Sequence, residues 1–301
     1  MSEPTPNADV SAPDRHVRDH SRLWRENRYV YPVISRRAKG LSIGVNLNPT
    51  KVCTFNCVYC QVDRGTAPVT DRVDLGTLIR ELNEMCQWAA SGAIWQDPHF
   101  ADVPPAMRRV NDIAFSGDGE PTAFRGFADM VQVAADAKAR HHLKGVKLVV
   151  ISNASRFHTQ TFRKALPILQ ASDGEVWAKL DAGSAEHFVK VNRTSVPFKR
   201  IVANIEWLAT QMPVVIQSCF FVMDGDPPSD TEIELYIARL RHIVQLGGHI
   251  KAIQLYTIAR RPAESNVAPL PADRLNAVAA RLRDALGDIP VEAFAGVEPQ
   301  P

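Results

Sequence analysis

Short apolar runs alternate with amphipathic stretches along most of the chain, and this pattern predicts β-strands that are each followed by an α-helix. Six strands are predicted, at residues 41–47, 112–116, 146–152, 176–180, 214–222 and 250–258. The matching helices are predicted near residues 73–90, 124–140, 159–170, 198–211, 230–246 and 272–286. Such alternation is typical of a parallel sheet covered by helices.

Six strand–helix units suit an incomplete barrel, although a flat doubly wound sheet would give the same order of elements. Periodicity does not separate these two architectures. In both of them, ligands bind at the carboxyl ends of the strands. Polar residues that follow a predicted strand are therefore the candidates for a functional site.

The composition is that of an ordinary soluble protein, since the 301 residues are 45% hydrophobic and 23% charged. The longest apolar runs are far shorter than the roughly 20 residues of a membrane helix, and the N-terminal residues lack the apolar core of a signal peptide. A net charge of +2 is too small to indicate nucleic acid or a membrane as a partner. Five cysteines, three of them clustered, argue against a disulfide framework and predict a cytoplasmic location.

The chain divides into a basic, partly disordered extension over residues 1–39, a core over residues 40–290 and a tail over residues 291–301. Residues 14–39 hold eight Lys and Arg against three Asp and Glu. We expect this stretch to pack Trp24, Tyr29 and Tyr31 onto the core. Aromatic residues among arginines also fit an arm that binds RNA.

Three cysteines fall within eight residues, at Cys53, Cys57 and Cys60. Thiolates packed this closely are typical ligands of an iron–sulfur cluster or of zinc. A closed zinc site would need a fourth ligand from elsewhere in the chain. The spacing also fits one buried stripe of a helix, but Pro49 and the weak helix formers between the cysteines favour a loop around a metal.

The spacing Cys-x3-Cys-x2-Cys, with Tyr59 before the third cysteine, resembles the signature of the radical S-adenosylmethionine (radical SAM) superfamily. This resemblance implies a partial (β/α)6 TIM-like barrel in which Cys53, Cys57 and Cys60 hold a [4Fe-4S] cluster. The fourth iron would bind the amino and carboxylate groups of S-adenosylmethionine, and Tyr59 would contact the adenine. The implied activity is reductive cleavage of S-adenosylmethionine and abstraction of hydrogen from a substrate. It requires an electron donor such as flavodoxin or ferredoxin.

The segment from Ser116 to Thr122 resembles the Gly-Gly-Glu motif of the same superfamily, which holds the amino group of S-adenosylmethionine. The resemblance assigns that contact to Gly117, Gly119 and Glu120, and Asp118 stands where the middle glycine is usual.

Two further strand ends carry polar residues. By the same resemblance, Ser152, Asn153 and Asp181 contact S-adenosylmethionine. Lys179 shares a strand face with Asp181 and is a candidate catalytic residue or carboxylate contact, with a structural ion pair as the alternative. Later strand ends offer substrate-site candidates by location alone, at Gln217, Cys219, Gln254 and Tyr256.

Residues 179–197, with the pair Asn192-Arg193, resemble the branch that contains the wyosine tRNA synthetases. Those enzymes carry further N-terminal cysteines, and residues 1–52 here contain none. A different substrate is therefore predicted. RNA, a small molecule and a peptide stay open, as does a non-catalytic zinc or redox module.

Overall fold

A computed structural model of the chain describes residues 24–35, 37–68, 70–260 and 264–296. The disorder predicted for the start of the extension concerns residues 1–23, which lie outside these ranges. Among the described residues, no helix has the length and apolar character needed to cross a membrane.

The central element is a curled, eight-stranded sheet with the order β1-β2-β3-β4-β5-β6-β8-β10. Its strands are β1 (Val30–Ser35), β2 (Gly40–Val45), β3 (Val110–Phe115), β4 (Lys147–Ser152), β5 (Glu175–Lys179), β6 (Val214–Cys219), β8 (Ile250–Tyr256) and β10 (Val291–Phe294). Strand β1 is antiparallel to β2, and all other neighbours are parallel. A separate antiparallel ribbon joins β7 (Phe221–Met223) to β9 (Val267–Pro269).

Helices follow the parallel strands and cover the outer face of the sheet. They are α1 (Leu75–Ala90), α2 (Phe127–Arg140), α3 (Gln160–Ala171), α4 (Ala185–Asn192), α5 (Phe198–Gln211), α6 (Asp230–Gln245) and α7 (Ala272–Leu286). Their apolar faces and the outward side chains of the strands form the main core. Because the strand order never reverses along the chain, the sheet lacks the switch point of a doubly wound fold. The predicted partial barrel is confirmed.

The inner face of the sheet is layered along the strands. Near the amino ends, Glu175 accepts hydrogen bonds from Lys147 Nζ at 2.6 Å and from Lys251 Nζ at 2.7 Å. A middle apolar layer contains Ala114, Val149, Trp177 and Val215. Polar side chains occupy the carboxyl ends. We call the first layer the floor and the last one the rim.

The predicted limits of the core, residues 40 and 290, are too narrow. Strand β1 lies in the expected extension and pairs with β2 along its whole length, and β10 lies in the expected tail and pairs with β8. Pro32 weakens the strand signal of β1 because proline is tolerated only at sheet edges, and β10 is just four residues long. The expected packing of Trp24, Tyr29 and Tyr31 onto the core is present.

Candidate active site at the carboxyl ends of the strands

A cavity of about 340 Å³ occupies the interior of the half-barrel and opens toward the rim. The predicted site residues that line it are Cys53, Cys57, Tyr59, Cys60, Gly117, Gly119, Glu120, Asn153, Lys179 and Asp181. The substrate-site candidates Gln217, Cys219 and Tyr256 also line the cavity, whereas Gln254 does not. The structure therefore brings together thirteen of the residues predicted for the site. Ser152 lies just behind the wall, where its Oγ donates to Glu120 at 2.7 Å.

The cysteine loop has no helical turn at residues 53–60, so a buried helical stripe is the wrong interpretation of its spacing. Its backbone docks along the end of α4 and the residues after it. Asn56 N donates to Asn192 O at 3.0 Å, and Val58 N donates to Val191 O at 2.9 Å. Helix α4, which the sequence pattern did not predict, is therefore the platform that shapes the loop.

Amide groups face two of the sulfurs. Asn192 Nδ2 lies 3.3 Å from Cys57 Sγ, and Asn153 Nδ2 lies 3.8 Å from Cys53 Sγ. Such N–H donors stabilise sulfur that carries negative charge. Asn192 Oδ1 is the one buried side-chain oxygen of the described residues without a hydrogen-bond partner. The amide thus gives its donors to the site and leaves its acceptor unused.

Burial raises the pKa of Cys57 to about 12, although the nearby Lys179 ammonium acts in the opposite direction. Burial also raises the pKa of Cys53. Without a metal, both groups would keep their protons at neutral pH. Metal binding would supply the free energy for deprotonation, as it does for metal-bound thiols in general.

Two kinds of metal centre place different requirements on the sulfurs of the cysteine loop. Sulfurs that share one zinc lie within about 4 Å of one another, because each Zn–S bond is about 2.3 Å long. Among the residues that the structure describes, no three His, Cys, Asp or Glu side chains are gathered to hold one metal ion. A [4Fe-4S] cluster requires a different arrangement of sulfurs, because each thiolate binds its own iron. The three free thiols of the cysteine loop, with amide donors beside Cys53 and Cys57, suit that group in number and in ligand type.

Glu120 connects the ends of β3 and β4. It is 2% exposed, and its carboxylate accepts from Ser152 Oγ and from Asn153 N, both at 2.7 Å. Thr122 donates to Oε1 as well, whereas Oε2 has Asn153 N as its donor. Burial raises the pKa of Glu120 despite these bonds. Oε2 therefore keeps lone-pair capacity for a further donor on the cavity side.

The glycines before Glu120 allow the strand end to touch the cysteine loop. A Cβ at Gly119 would lie 2.1 Å from Val52 O, closer than any side chain can approach. Asp118 replaces the middle glycine of the motif and accepts from Asn46 Nδ2 at 2.7 Å. Aspartate is accommodated at this position of the motif through its bonds to the Asn46 side chain.

Asp181 orders the rim. Its Oδ2 accepts from Tyr59 Oη at 2.5 Å and from Asn192 Nδ2 at 3.2 Å, and its Oδ1 accepts from Cys219 N at 2.9 Å. Lys179 does not pair with it within the part of the chain that the structure describes. Instead, Lys179 Nζ lies 4.7 Å from the centroid of the Tyr59 ring. The alternative of a structural Lys179–Asp181 ion pair is wrong.

Several residues of the cavity wall were not predicted from the sequence, and Arg37 is one of them. Arg37 follows β1, lines the cavity and places its guanidinium carbon 5.2 Å from the centroid of the Tyr256 ring. The alternation of residues 31, 33 and 35 toward the cavity was the available signal. The basic residues around this segment instead led to its assignment to the extension over residues 1–39.

Known proteins resemble the chain in sequence and in fold. No family model matches it. A UPF0026 protein of Helicobacter pylori is 26% identical over 246 residues, which cover 81% of this chain and 70% of that protein. A radical SAM methyltransferase from Sphaerobacter thermophilus has a TM-score of 0.60 and 13% identity, over 88% of this chain and 69% of that one.

Streptococcus suis SuiB, solved with S-adenosylmethionine, has a TM-score of 0.57 and 11% identity, over 86% of this chain and 52% of that one. The chain has the radical SAM fold. TYW1, solved with a lysine-pyruvate adduct, has a TM-score of 0.50 and 14% identity, over 82% of this chain and 74% of that one. The barrel fold that the cysteine motif implied is confirmed, and it does not single out the wyosine branch.

Proposed function

We propose that the protein is a radical SAM enzyme in which Cys53, Cys57 and Cys60 hold a [4Fe-4S] cluster and S-adenosylmethionine binds in the adjacent cavity. When bound, the two groups would supply reductive cleavage of the sulfonium and, with it, hydrogen abstraction from a substrate. The observation that carries this proposal is the convergence of the cysteine loop, Glu120 and Asp181 on one cavity of a radical SAM barrel.

The residues of the chain have distinct tasks in this proposal. Asn153 and Asn192 donate to the thiolates of Cys53 and Cys57 and so stabilise their charge. Glu120 Oε2 accepts from the amino group of S-adenosylmethionine. Asp181 fixes Tyr59, the last residue before the third cysteine, through its phenol.

An apolar cluster borders the rim and would help to keep water from the groups bound there. Tyr59 packs against Phe221 with ring centroids 5.4 Å apart, and both belong to a buried cluster at the end of the barrel. A dry cavity protects a reactive species from solvent and strengthens every electrostatic contact inside it. The ribbon of β7 and β9 contributes to this seal through Phe221 and Val267.

The test is anaerobic reconstitution with iron and sulfide, followed by dithionite and S-adenosylmethionine. We expect 5′-deoxyadenosine from the wild type and none above background from Cys57→Ala. Cys86→Ala is the matched control, because Cys86 is buried on α1 in the main core and lies outside the cavity. Equal product from Cys57→Ala and the wild type would refute the proposal.

A non-catalytic zinc or redox module is the competing class. It predicts a colourless protein with one zinc per chain. The radical SAM proposal predicts a brown protein whose visible absorption and iron content are lost in Cys57→Ala. Metal analysis of the purified protein separates these outcomes before any assay of activity.

RNA stays a candidate substrate only through the basic residues at the start of the chain. In the described part of that stretch, Arg25 pairs with Asp97, Lys39 pairs with Glu292, and Arg37 lines the cavity. Deleting residues 1–39 would remove β1 and damage the sheet. Deleting residues 1–23 is the cleaner test, and a strongly salt-dependent RNA affinity lost in that variant would support RNA as the substrate.

The proposal also implies a cytoplasmic location and an electron donor of the flavodoxin or ferredoxin type. All five cysteines are free, which suits a reducing compartment. Addition of a reduced flavodoxin in place of dithionite tests the second implication. Formation of 5′-deoxyadenosine with that donor is the expected outcome.

A further inference from the structure

We infer that Arg37 and Lys179 together bind an anionic group, a carboxylate or a phosphate, of a small-molecule substrate inside the barrel. This inference depends on the proposed function only in describing the bound molecule as a substrate. The site itself follows from the positions and partners of the two cations.

Both cations border the same aromatic ring. Lys179 Nζ lies 5.4 Å and Arg37 Cζ lies 5.2 Å from the centroid of Tyr256, and all three residues line the cavity. Tyr59 forms the other contact of Lys179, at 4.7 Å. Two positive charges from distant segments of the chain therefore flank one aromatic ring of the cavity.

No carboxylate of the described residues pairs with either cation. The acidic side chains of the cavity wall have other partners: Asp181 bonds Tyr59 and Asn192, Glu120 bonds Thr122 and Ser152, Asp118 bonds Asn46, and Asp112 bonds Ser42. On the floor, by contrast, Lys147 and Lys251 pair directly with Glu175. Arg37 and Lys179 have no such carboxylate partner among the described residues.

Aromatic faces stabilise a partly buried cation only in part. An enclosed ammonium or guanidinium gains most when an anion with hydrogen-bond acceptors completes the site. Carboxylate and phosphate have the oxygen geometry that a guanidinium binds in a bidentate manner. The protein therefore leaves inside the barrel a positive site that a ligand can neutralise.

The strand order explains why Arg37 reaches the cavity. Antiparallel pairing of β1 with β2 extends the inner wall beyond the parallel strands. Gly44 of β2 makes room for the Tyr31 ring, because a Cβ there would lie 2.3 Å from that ring. The turn after β1 lies at the amino end of β2, and from there the Arg37 side chain reaches into the barrel toward Tyr256. Enclosure inside the wall favours a small molecule over a polynucleotide.

S-Adenosylmethionine carries a carboxylate itself, so the experiment separates the two possible sources of the anion. Calorimetric titrations use succinate and inorganic phosphate as probes and uncharged succinamide as the reference. They are run on the reconstituted protein saturated with S-adenosylmethionine, and on the protein before cluster loading so that binding to iron does not contribute. The variants are Arg37→Gln and Lys179→Gln.

Matched controls are Arg274→Gln and Lys144→Gln, which change exposed residues away from the cavity. We expect succinate or phosphate, but not succinamide, to bind the wild type and both controls. Each cavity variant should weaken that binding by about tenfold or more, as loss of a charge-assisted contact does. The affinity for S-adenosylmethionine should stay within about threefold of the wild type in both cavity variants.

Anion binding that is unchanged in both cavity variants, or no stronger than that of succinamide, would overturn the inference. A loss confined to S-adenosylmethionine affinity would also overturn it, because the anion would then be the carboxylate of that molecule. Anion binding that depends on Arg37 and Lys179 in a protein that makes no 5′-deoxyadenosine would refute the proposed function and leave the anion site standing.

Discussion

The floor and the rim of the same half-barrel differ in how their charged side chains are paired. On the floor, Glu175 is 5% exposed and receives hydrogen bonds from Lys147, Lys251 and the indole of Trp177. At the rim, Lys179 has two aromatic rings as neighbours, and Cys57 is a buried thiol beside an amide donor. The charges of the floor are therefore paired within the protein, whereas our proposal brings further groups to the rim.

The largest expected effect concerns the floor. Glu175→Gln leaves Lys147 and Lys251 without their anion, and we expect the free energy of unfolding to fall by about 2–3 kcal/mol, less than for a fully buried pair because both lysines are half-exposed. Urea denaturation at pH 7 measures the loss. A variant as stable as the wild type would show that the floor does not depend on this ion cluster.

The same carboxylate predicts a pH dependence. Burial would raise the pKa of Glu175, but its bonds to Lys147, Lys251 and Trp177 outweigh burial and hold that pKa below its ordinary value. The stabilisation is therefore present above the unfolded pKa of about 4.5 and is lost as the pH falls through the lower folded value. Glu175→Gln should remove this acid-induced loss of stability.

Asp112 is expected to give the opposite dependence of stability on pH. Burial raises its pKa to about 6, so its folded form holds a proton that the unfolded chain releases near pH 4. Stability should then fall as the pH rises from about 4 to 6. Asp112→Asn should remove that slope and raise the free energy of unfolding at pH 7 by about 1–2 kcal/mol. An unchanged pH profile in denaturant titrations would contradict the burial of this carboxylate.

Asn192→Leu tests the amide donor at the rim. Loss of the N–H···S contact to Cys57 should lower the reduction potential of the reconstituted cluster by about 20–60 mV, the equivalent of one hydrogen bond of about 0.5–1.5 kcal/mol. Redox titration followed by electron paramagnetic resonance measures the shift. Asn83→Leu, a change on α1 outside the cavity, is the control and should leave the potential unchanged. A potential equal to that of the wild type in Asn192→Leu would mean that the amide only shapes the loop.

The smallest effect is expected for Lys179→Met. Because Lys179 has no carboxylate partner among the described residues, its removal should change the free energy of unfolding by less than about 1 kcal/mol, in contrast to Glu175→Gln. A loss of stability as large as that of Glu175→Gln would show that the floor and the rim do not differ in this respect. Parallel urea titrations of the two variants give the answer directly.

Much of the site could be predicted because each parallel strand ends in polar residues after an apolar run. Asn153 and Asp181 follow β4 and β5 in this way, and the fold alone brings them to one edge. The motif around Glu120 was equally local. These positions need no knowledge of which strands are neighbours.

The remaining parts depend on contacts between distant segments. Arg37 reaches the cavity only because β1 pairs antiparallel with β2, and a short strand with an internal proline gives little signal for that pairing. The contact of Asn192 with Cys57 spans 135 residues of sequence. Helix α4 has eight residues, which is too short for a clear amphipathic period.

The central claim is that three thiolates hold a cluster whose fourth iron is open to S-adenosylmethionine. Electron paramagnetic resonance of the dithionite-reduced, reconstituted protein tests it most directly, with and without S-adenosylmethionine. The account predicts a [4Fe-4S]⁺ signal whose g-values shift when S-adenosylmethionine is added, and no such signal in Cys57→Ala. A cluster signal that does not respond to S-adenosylmethionine, or a zinc-loaded protein without any signal, would contradict it.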